Sequence, residues 1–186
     1  MNDRLDIGCG PAKPEGFDGI DCFGYPGVDY IHDLDSDGPW PIEDNRYTYL
    51  RANHVIEHVR DLRRFFSEIH RIATHNAIVR IETPHFSARN SWADPTHVHH
   101  LSVSFCEPFL CGYLGARFPR FKLVHSRITF GGFLLTWPGR LLCLLLGQES
   151  YEKHFPWIFP ASSMIVELQV IKEAAAPGQG SSKDTR

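Results

Sequence analysis

The stretch RLDIGCGPAKPEGFDGID, Arg4 to Asp21, constrains the fold more than any other part of the chain. Arg4–Gly8 reads as a short apolar strand, stopped by Gly8-Cys9-Gly10-Pro11. Phe17–Asp21 reads as a second strand that ends in an acid. Between them lie the six residues Pro11 to Gly16, two of them proline. A crossover between parallel strands that contains a helix needs about a dozen residues or more. The first crossover helix is therefore shortened to a turn or absent. This disfavours ligands that rely on a helix N-terminus, as a pyrophosphate does. The pattern is also not GxGxxG, because Lys13 stands where the third glycine would fall. Gly8 and Gly10 have no Cβ, so backbone can pass close to a flat or bulky ligand. Asp21 can accept hydrogen bonds from both hydroxyls of a ribose. The loop suits a nucleoside without phosphates better than a dinucleotide.

The rest of the chain alternates strand and crossover signals. Val28–His32 is a third strand, with glycine and proline before it and Asp33, Asp35 and Asp37 after. Gly38–Asn45 (GPWPIEDN) is a loop, and Tyr47–Ala52 a fourth strand. Asp61 can cap a helix in which Leu62, Phe65, Phe66, Ile69, Ile72 and Ala73 recur at helical spacing. Ala77–Glu82 is a fifth strand ended by Thr83-Pro84. Ser102–Leu114 is expected to be helical in part, Phe121–Phe130 to be a strand, and Met164–Lys172 to be the last strand. Such an order indicates an α/β sheet, and such sheets place ligands beyond the carboxyl ends of their strands. That rule singles out Gly8–Gly10, Asp21, Asp33, Asn53–His58 and Pro84-His85-Phe86.

At 186 residues, with 42% hydrophobic and 22% charged content, the chain is sized for one globular domain. Residues 1–173 form that domain, and residues 174–186 (AAAPGQGSSKDTR) read as a flexible tail. A net charge of −3 with no long basic run argues against a nucleic-acid reader. The N-terminal segment MNDRLDIG is not a signal peptide. Five cysteines with no CxxC indicate reduced thiols in a cytoplasmic protein.

Several segments in sequence order carry a family resemblance. LDIGCG resembles the first motif of class I S-adenosylmethionine-dependent methyltransferases. GIDCF resembles their ribose-binding acidic segment. HDLDSDGPWPIEDNRYTYL is similar to their aspartate–hydrophobic pair, proline-containing loop and fourth strand. ANHVIEHVRDLRRFFSEIHRI and IVRIETPHF are similar to the segments that follow. The likeness spans Leu5 to Phe86 and continues more weakly through ADPTHVHHLSVSF and the final strand. It implies a Rossmann-like α/β fold: a three-layer sandwich with a mostly parallel sheet and an antiparallel last strand. It implies S-adenosyl-L-methionine as cofactor and S-adenosyl-L-homocysteine as product. Asp6, Gly8 and Gly10 would face the methionine part and the ribose. Asp21 would hold the ribose, and Asp33 and Leu34 would flank the adenine, although Asp35 and Asp37 crowd the same loop. Asn53 and His54 would meet the amino-acid end. Two departures stand out. The sequence begins about four residues before the first strand, and the first crossover helix is short or missing. Affinity for the cofactor is then low, or a partner completes the site.

Eleven histidines is a high count, and most fall between His54 and His100. His54-Val55-Ile56-Glu57-His58 spells H-x-x-E-H, an inverted zinc-protease pattern. No clear third-ligand motif follows, with Glu68 left open as a ligand, and the methyltransferase likeness explains the same letters, so no metal is assigned. PHFSARNSWADPTHVHH reads first as a substrate lid, then as a polar loop, and last as a metal site. His58, His85 and His97 are the candidates for a catalytic base, since histidine titrates near neutrality.

Residues 131–161 form an apolar insertion, too short and interrupted to span a bilayer. It reads as buried core or a cap. It can also supply a wall of an acceptor pocket, touch a membrane surface, or pack against a protein partner or a second copy. The reading is methyl transfer to a small or medium acceptor, by O- or N-methylation. A degenerate, cofactor-binding module that needs a partner is the alternative, and a dinucleotide oxidoreductase is a second rival opposed by the missing glycine and helix.

Overall fold

A computed structural model of the protein describes residues 2–107, 119–131 and 136–172. The strands are β1 (Arg4–Ile7), β2 (Asp18–Asp21), β3 (Tyr30–Ile31), β4 (Tyr47–Asn53), β5 (Ala73–Pro84), β6 (Phe121–Thr129) and β7 (Ser163–Val170). They form one sheet in the order β3-β2-β1-β4-β5-β7-β6. The first five strands run parallel. β7 lies antiparallel to both β5 and β6. The order reverses beside β1, with β2 on one side and β4 on the other, and such a reversal is where an open α/β sheet forms its ligand crevice. The mostly parallel sheet with an antiparallel last strand is the α/β architecture expected from sequence.

The crossover between β1 and β2 contains a single 3-10 turn, Gly10–Ala12, as its length requires. Helix α1 (Leu62–Ile72) joins β4 to β5. Its N-cap is Asp61, whose carboxylate accepts the Arg64 amide at 3.0 Å. Phe65, Phe66, Ile69 and Ile72 are all buried, because spacings of three and four put them on one face. Burial of each such side chain contributes roughly 1.5–3 kcal/mol. Phe65 meets Trp40 edge-on at 5.7 Å, and Phe66 meets Phe121 at 5.7 Å.

Register assigns the two faces of the sheet opposite characters. Leu5, Leu50, Val79 and Leu168 align across four strands and are fully buried. One residue along, Asp6, Arg51, Arg80 and Glu167 align across the same strands. These point to the other side, since side chains alternate along a strand. Arg51 pairs with Asp6 at 2.6 Å, and Arg80 with Glu82 at 3.0 Å. The cations of Arg4 and Arg51 lie 5.8 and 5.6 Å from the Phe17 ring centre. The core is thus on one face, where α1 packs, and a charged row occupies the other.

Several elements differ in extent from the sequence reading. β3 has two residues, and β5 begins at Ala73, directly after α1. Part of the expected 102–114 helix is a short 3-10 turn, Val103–Phe105. Residues 108–118, 132–135 and 173–186, the last including the expected 174–186 tail, lie outside the described residues.

The apolar insertion forms helices α3 (Trp137–Leu146) and α4 (Gln148–His154), preceded in the chain by a short helix α2 (Arg89–Ala93). α4 is anchored by fully buried Tyr151, whose hydroxyl donates to the Phe159 carbonyl at 2.6 Å. Gly139 seats α3 against Phe130: a Cβ there would lie 2.6 Å from that ring. Yet Leu144 is 81% exposed, Leu145 68% and Trp157 68%. The insertion is not simply buried core. Leucines at consecutive positions point around the helix, and one contact side cannot cover them all. Among the described residues, no helix is long and apolar enough to cross a membrane.

Candidate functional site

At the end of β1 the chain turns sharply. Gly8 and Gly10 take φ of +62° and +55°, a left-handed backbone that glycine adopts without steric cost. The two glycines do different things. A Cβ at Gly8 would lie 2.4 Å from Val55 Cγ2, so Gly8 is there to pack against the turn after β4. At Gly10 nothing lies within 4 Å of an added Cβ. Gly10 keeps space open.

Asp21 ends β2 and turns toward this bend. Its Oδ2 accepts the Gly10 amide at 2.8 Å and its Oδ1 the Phe23 amide at 2.9 Å. Each carboxylate oxygen retains a second lone pair for a ligand. Asp33 holds its own turn, with Oδ1 accepting the Asp35 amide at 2.9 Å. Asp35 instead accepts the Arg60 amide with both oxygens, at 3.0 and 3.2 Å.

These groups line a cleft of about 410 Å³ with Gly8, Gly10, Asp21, Asp33, Leu34 and His54 in its wall. The size suits a small ligand, since such sites span roughly 300–1,000 Å³. Cys22, Phe23, Tyr25, Asp35, Val55, His58 and Val59 complete the lining. Phe23 and Tyr25 form a tilted ring pair with centres 5.9 Å apart. The sequence reading missed this apolar side. Its signal was the pair of aromatics just after Asp21, at the end of β2.

Two expected cofactor residues are not in the lining. Asp6 gives both oxygens to Arg51, at 2.6 and 3.3 Å, in the charged row. Burial raises its carboxyl pKa, and the Arg51 hydrogen bonds oppose that rise. Asn53 accepts from Arg80 at 3.4 Å. Both occupy positions on the charged face rather than at the cleft.

A second cleft, of about 540 Å³, adjoins the first. His54, Glu57, His58, Pro84, Asn90, Asp94 and His97 are in its wall. His54 and His58 line both clefts. Residues 54–58 form a turn, not a helix, so the two histidines of the H-x-x-E-H spelling do not share a helical face. His54 itself has a φ of +53°, with its amide bonded to the Glu82 carbonyl at 2.8 Å. A non-glycine residue in that region is costly and persists where surrounding contacts fix it.

Glu57 organises this second cleft. It is 1% exposed. Its carboxylate accepts Thr83 Oγ1 at 2.9 Å and lies 3.2 Å from His54 Nδ1. Its backbone carbonyl accepts the Val98 and His99 amides, at 2.8 and 3.2 Å, and so pins the loop after β5 over the cleft. Burial pushes the Glu57 carboxyl pKa up, but hydrogen bonds from His54, its own backbone and Thr83 hold it below the usual range. The hydrogen bond to Glu57 raises the His54 pKa against the cost of burial.

The three candidate bases separate. The rings of His58 and His97 meet edge-on, with centres 4.6 Å apart, at the second cleft. His85 is fully buried elsewhere. Its Nδ1 lies 2.8 Å from Ser87 Oγ and its Nε2 2.9 Å from Glu152 Oε1. Nδ1 is thus engaged within its own segment, and Nε2 joins the residue after β5 to α4.

No family model matches the chain. No curated protein matches it in sequence. Solved structures do match in three dimensions. A methyltransferase dependent on S-adenosylmethionine (SAM) from Archaeoglobus fulgidus is 18% identical with a TM-score of 0.57, over 91% of this chain and 86% of that one. The geranyl diphosphate C-methyltransferase of Streptomyces coelicolor, solved with Mg2+, geranyl diphosphate and S-adenosyl-L-homocysteine, is 13% identical with a TM-score of 0.58, over 92% and 71%. The cyclase SpnF is 12% identical with a TM-score of 0.56, over 91% and 75%. By the order and direction of its strands and by these likenesses, the chain has the fold of the class I S-adenosylmethionine-dependent methyltransferases.

Proposed function

We propose that the protein is an S-adenosylmethionine-dependent methyltransferase that acts on a small or medium acceptor at oxygen or nitrogen. One observation carries the reading: two clefts lie side by side and share His54 and His58. A donor in the first would present its methyl group to an acceptor in the second. The residues fit the cofactor, because Asp21 faces the open space at Gly10 and an aromatic pair stands beside it.

When bound, the cofactor supplies a methyl group already activated by its sulfonium. The protein then chiefly binds, orients and excludes water. Asp21 holds the ribose hydroxyls. Leu34, Phe23 and Tyr25 offer apolar surface to the base, and Asp33 a polar edge. His58 and His97 face the acceptor and are placed to take its proton. The loop from His85 to Leu101 is the wall that shields the second cleft, in keeping with a lid.

A second reading is a chain that binds the adenosyl group for a purpose other than methyl transfer. The likeness to a cyclase supports it, because one fold hosts many reactions. Calorimetric titration with S-adenosylhomocysteine, with NAD as control, tests the shared premise. Binding of the former alone supports both readings. No binding at millimolar ligand removes both. Methyl release from labelled cofactor onto a panel of hydroxyl and amine acceptors then separates them.

A further inference from the structure

We propose that Glu57, His58 and His97 form a binding site for a divalent transition-metal ion, which anchors an oxygen-bearing acceptor in the second cleft. Each of the three side chains offers a donor atom, and these atoms lie within 4.8 Å of one another. Two histidines and one carboxylate make a set that suits ions such as Mn2+, Fe2+ or Zn2+ and leaves other positions open.

The hydrogen bonds around the histidines argue for ligands. His97 Nδ1 lies 3.0 Å from the Ser91 carbonyl. A carbonyl only accepts, so Nδ1 carries the proton and Nε2 keeps its lone pair. Thr96 Oγ1 donates to Asp94 Oδ1 at 2.6 Å and lies 2.9 Å from His58 Nδ1. Its one proton is committed to the carboxylate, so the hydroxyl accepts from His58 Nδ1. His58 Nε2 is thereby left with its lone pair as well. A carbonyl or hydroxyl that fixes the far nitrogen is the support commonly found behind metal-bound histidine. Ser91, Thr96 and Asp94 supply it twice here.

Glu57 completes the argument. Its carboxylate is almost wholly buried, faces this cleft, and has one hydrogen bond from Thr83 and one contact with His54. Spare lone pairs remain on both oxygens. Its backbone carbonyl holds the Val98 and His99 amides, so the residue that supplies the carboxylate also positions the loop that supplies His97.

The acceptor role rests on the methyltransferase reading, but the ion site stands apart from it. An ion held by both Nε2 atoms would take the place of His58 and His97 as bases, since its charge would lower the acceptor's own hold on its proton. The ion would sit beside His54 and His58, where the two clefts meet. An acceptor with adjacent oxygen donors could bridge to it and direct one oxygen at the first cleft.

The test uses the full chain and Co2+ as probe, read by calorimetry and by visible absorption. One equivalent is expected to bind. His97→Asn and His58→Ala should each weaken binding at least tenfold, while S-adenosylhomocysteine binding to His97→Asn stays within threefold of the parent. Circular dichroism checks that both variants are folded. Acetohydroxamate, a bidentate oxygen ligand, should then shift the cobalt spectrum of the parent. Absence of stoichiometric binding, or binding unchanged in both variants, overturns the site. A spectrum indifferent to acetohydroxamate overturns the acceptor role. Failure of S-adenosylhomocysteine to bind removes the methyltransferase reading and leaves the metal result intact.

Discussion

The Asp21 carboxylate accepts the Gly10 amide at 2.8 Å and thereby ties the end of β2 to the bend that follows β1. The same carboxylate lines the first cleft, so one residue both builds the bend and faces the ligand.

Replacement of Asp21 with Ala removes both roles. Hydrogen bonds to a charged group are worth about 1.5–3 kcal/mol, so affinity for S-adenosylhomocysteine should fall by roughly tenfold to a hundredfold. Isothermal titration of parent and variant measures this. An unchanged dissociation constant would exclude Asp21 from the ligand.

Gly8→Ala and Gly10→Ala should differ in cost although both glycines have positive φ. The first adds a collision with Val55 and the second does not. We expect about 2–3 kcal/mol for Gly8→Ala and about 1 kcal/mol for Gly10→Ala. In a chain of this length each kcal/mol moves the melting point by about 2–4 °C. Val55→Ala introduced with Gly8→Ala should recover part of the loss, and thermal melts of the set of variants decide it.

His85 and Glu152 should behave as structural partners. Glu152 Oε1 also accepts the Val103 amide at 2.7 Å, so it binds β5, α4 and the turn before residue 108. Glu152→Gln should lower the melting point by several degrees and leave S-adenosylhomocysteine affinity unchanged. A variant with parental stability would show that this buried contact contributes nothing.

Stability should fall in acid partly through Glu68. Its carboxylate accepts the Trp40 amide at 2.7 Å and pairs with Arg71 at 2.7 Å. Burial raises its pKa, but the Arg71 and Trp40 hydrogen bonds outweigh this and hold it below the ordinary 4.5. A lowered folded value means that its stabilisation is present above that ordinary value and is lost as pH falls through the lowered one. Glu68→Gln should cost about 1–3 kcal/mol at pH 7, and the gap should narrow as pH falls below the ordinary 4.5 and through the lowered folded value. Denaturant melts across this range measure it, and a pH-independent gap contradicts the assignment.

Cys22 is exposed beside Asp21 and lines the first cleft, whereas Cys9 is buried. Burial and the nearby Asp21 charge raise the Cys22 thiol pKa. Alkylation should therefore be slow at pH 7 and faster at pH 9, and S-adenosylhomocysteine should slow it at either. Peptide mapping of the labelled chain reads the site. Labelling of Cys22 indifferent to the ligand would place that ligand elsewhere.

The short crossover, the capped helix and Asp21 at the end of β2 were all legible in the sequence. Each depends on residues close in the chain: six residues cannot hold a helix and its connections, and Asp61 meets Arg64 within one turn. Asp6 lies outside the cleft lining for a related reason. An acid two residues before a glycine turn looks like part of the ligand loop, but strand alternation turns it to the face opposite the core. Which face becomes the core depends on every neighbouring strand.

By itself the sequence determined the series of elements, the glycine bend and the acid beside it, because these follow from chain length, φ preference and local hydrogen bonding. Only the tertiary structure decided that His97 stands against Glu57 and His58, that His85 is locked to Glu152, and that Leu144 and Leu145 of the insertion face outward. Those outcomes come from strand register and from loops brought together across the sheet edge, where residues far apart in sequence compete for the same neighbours.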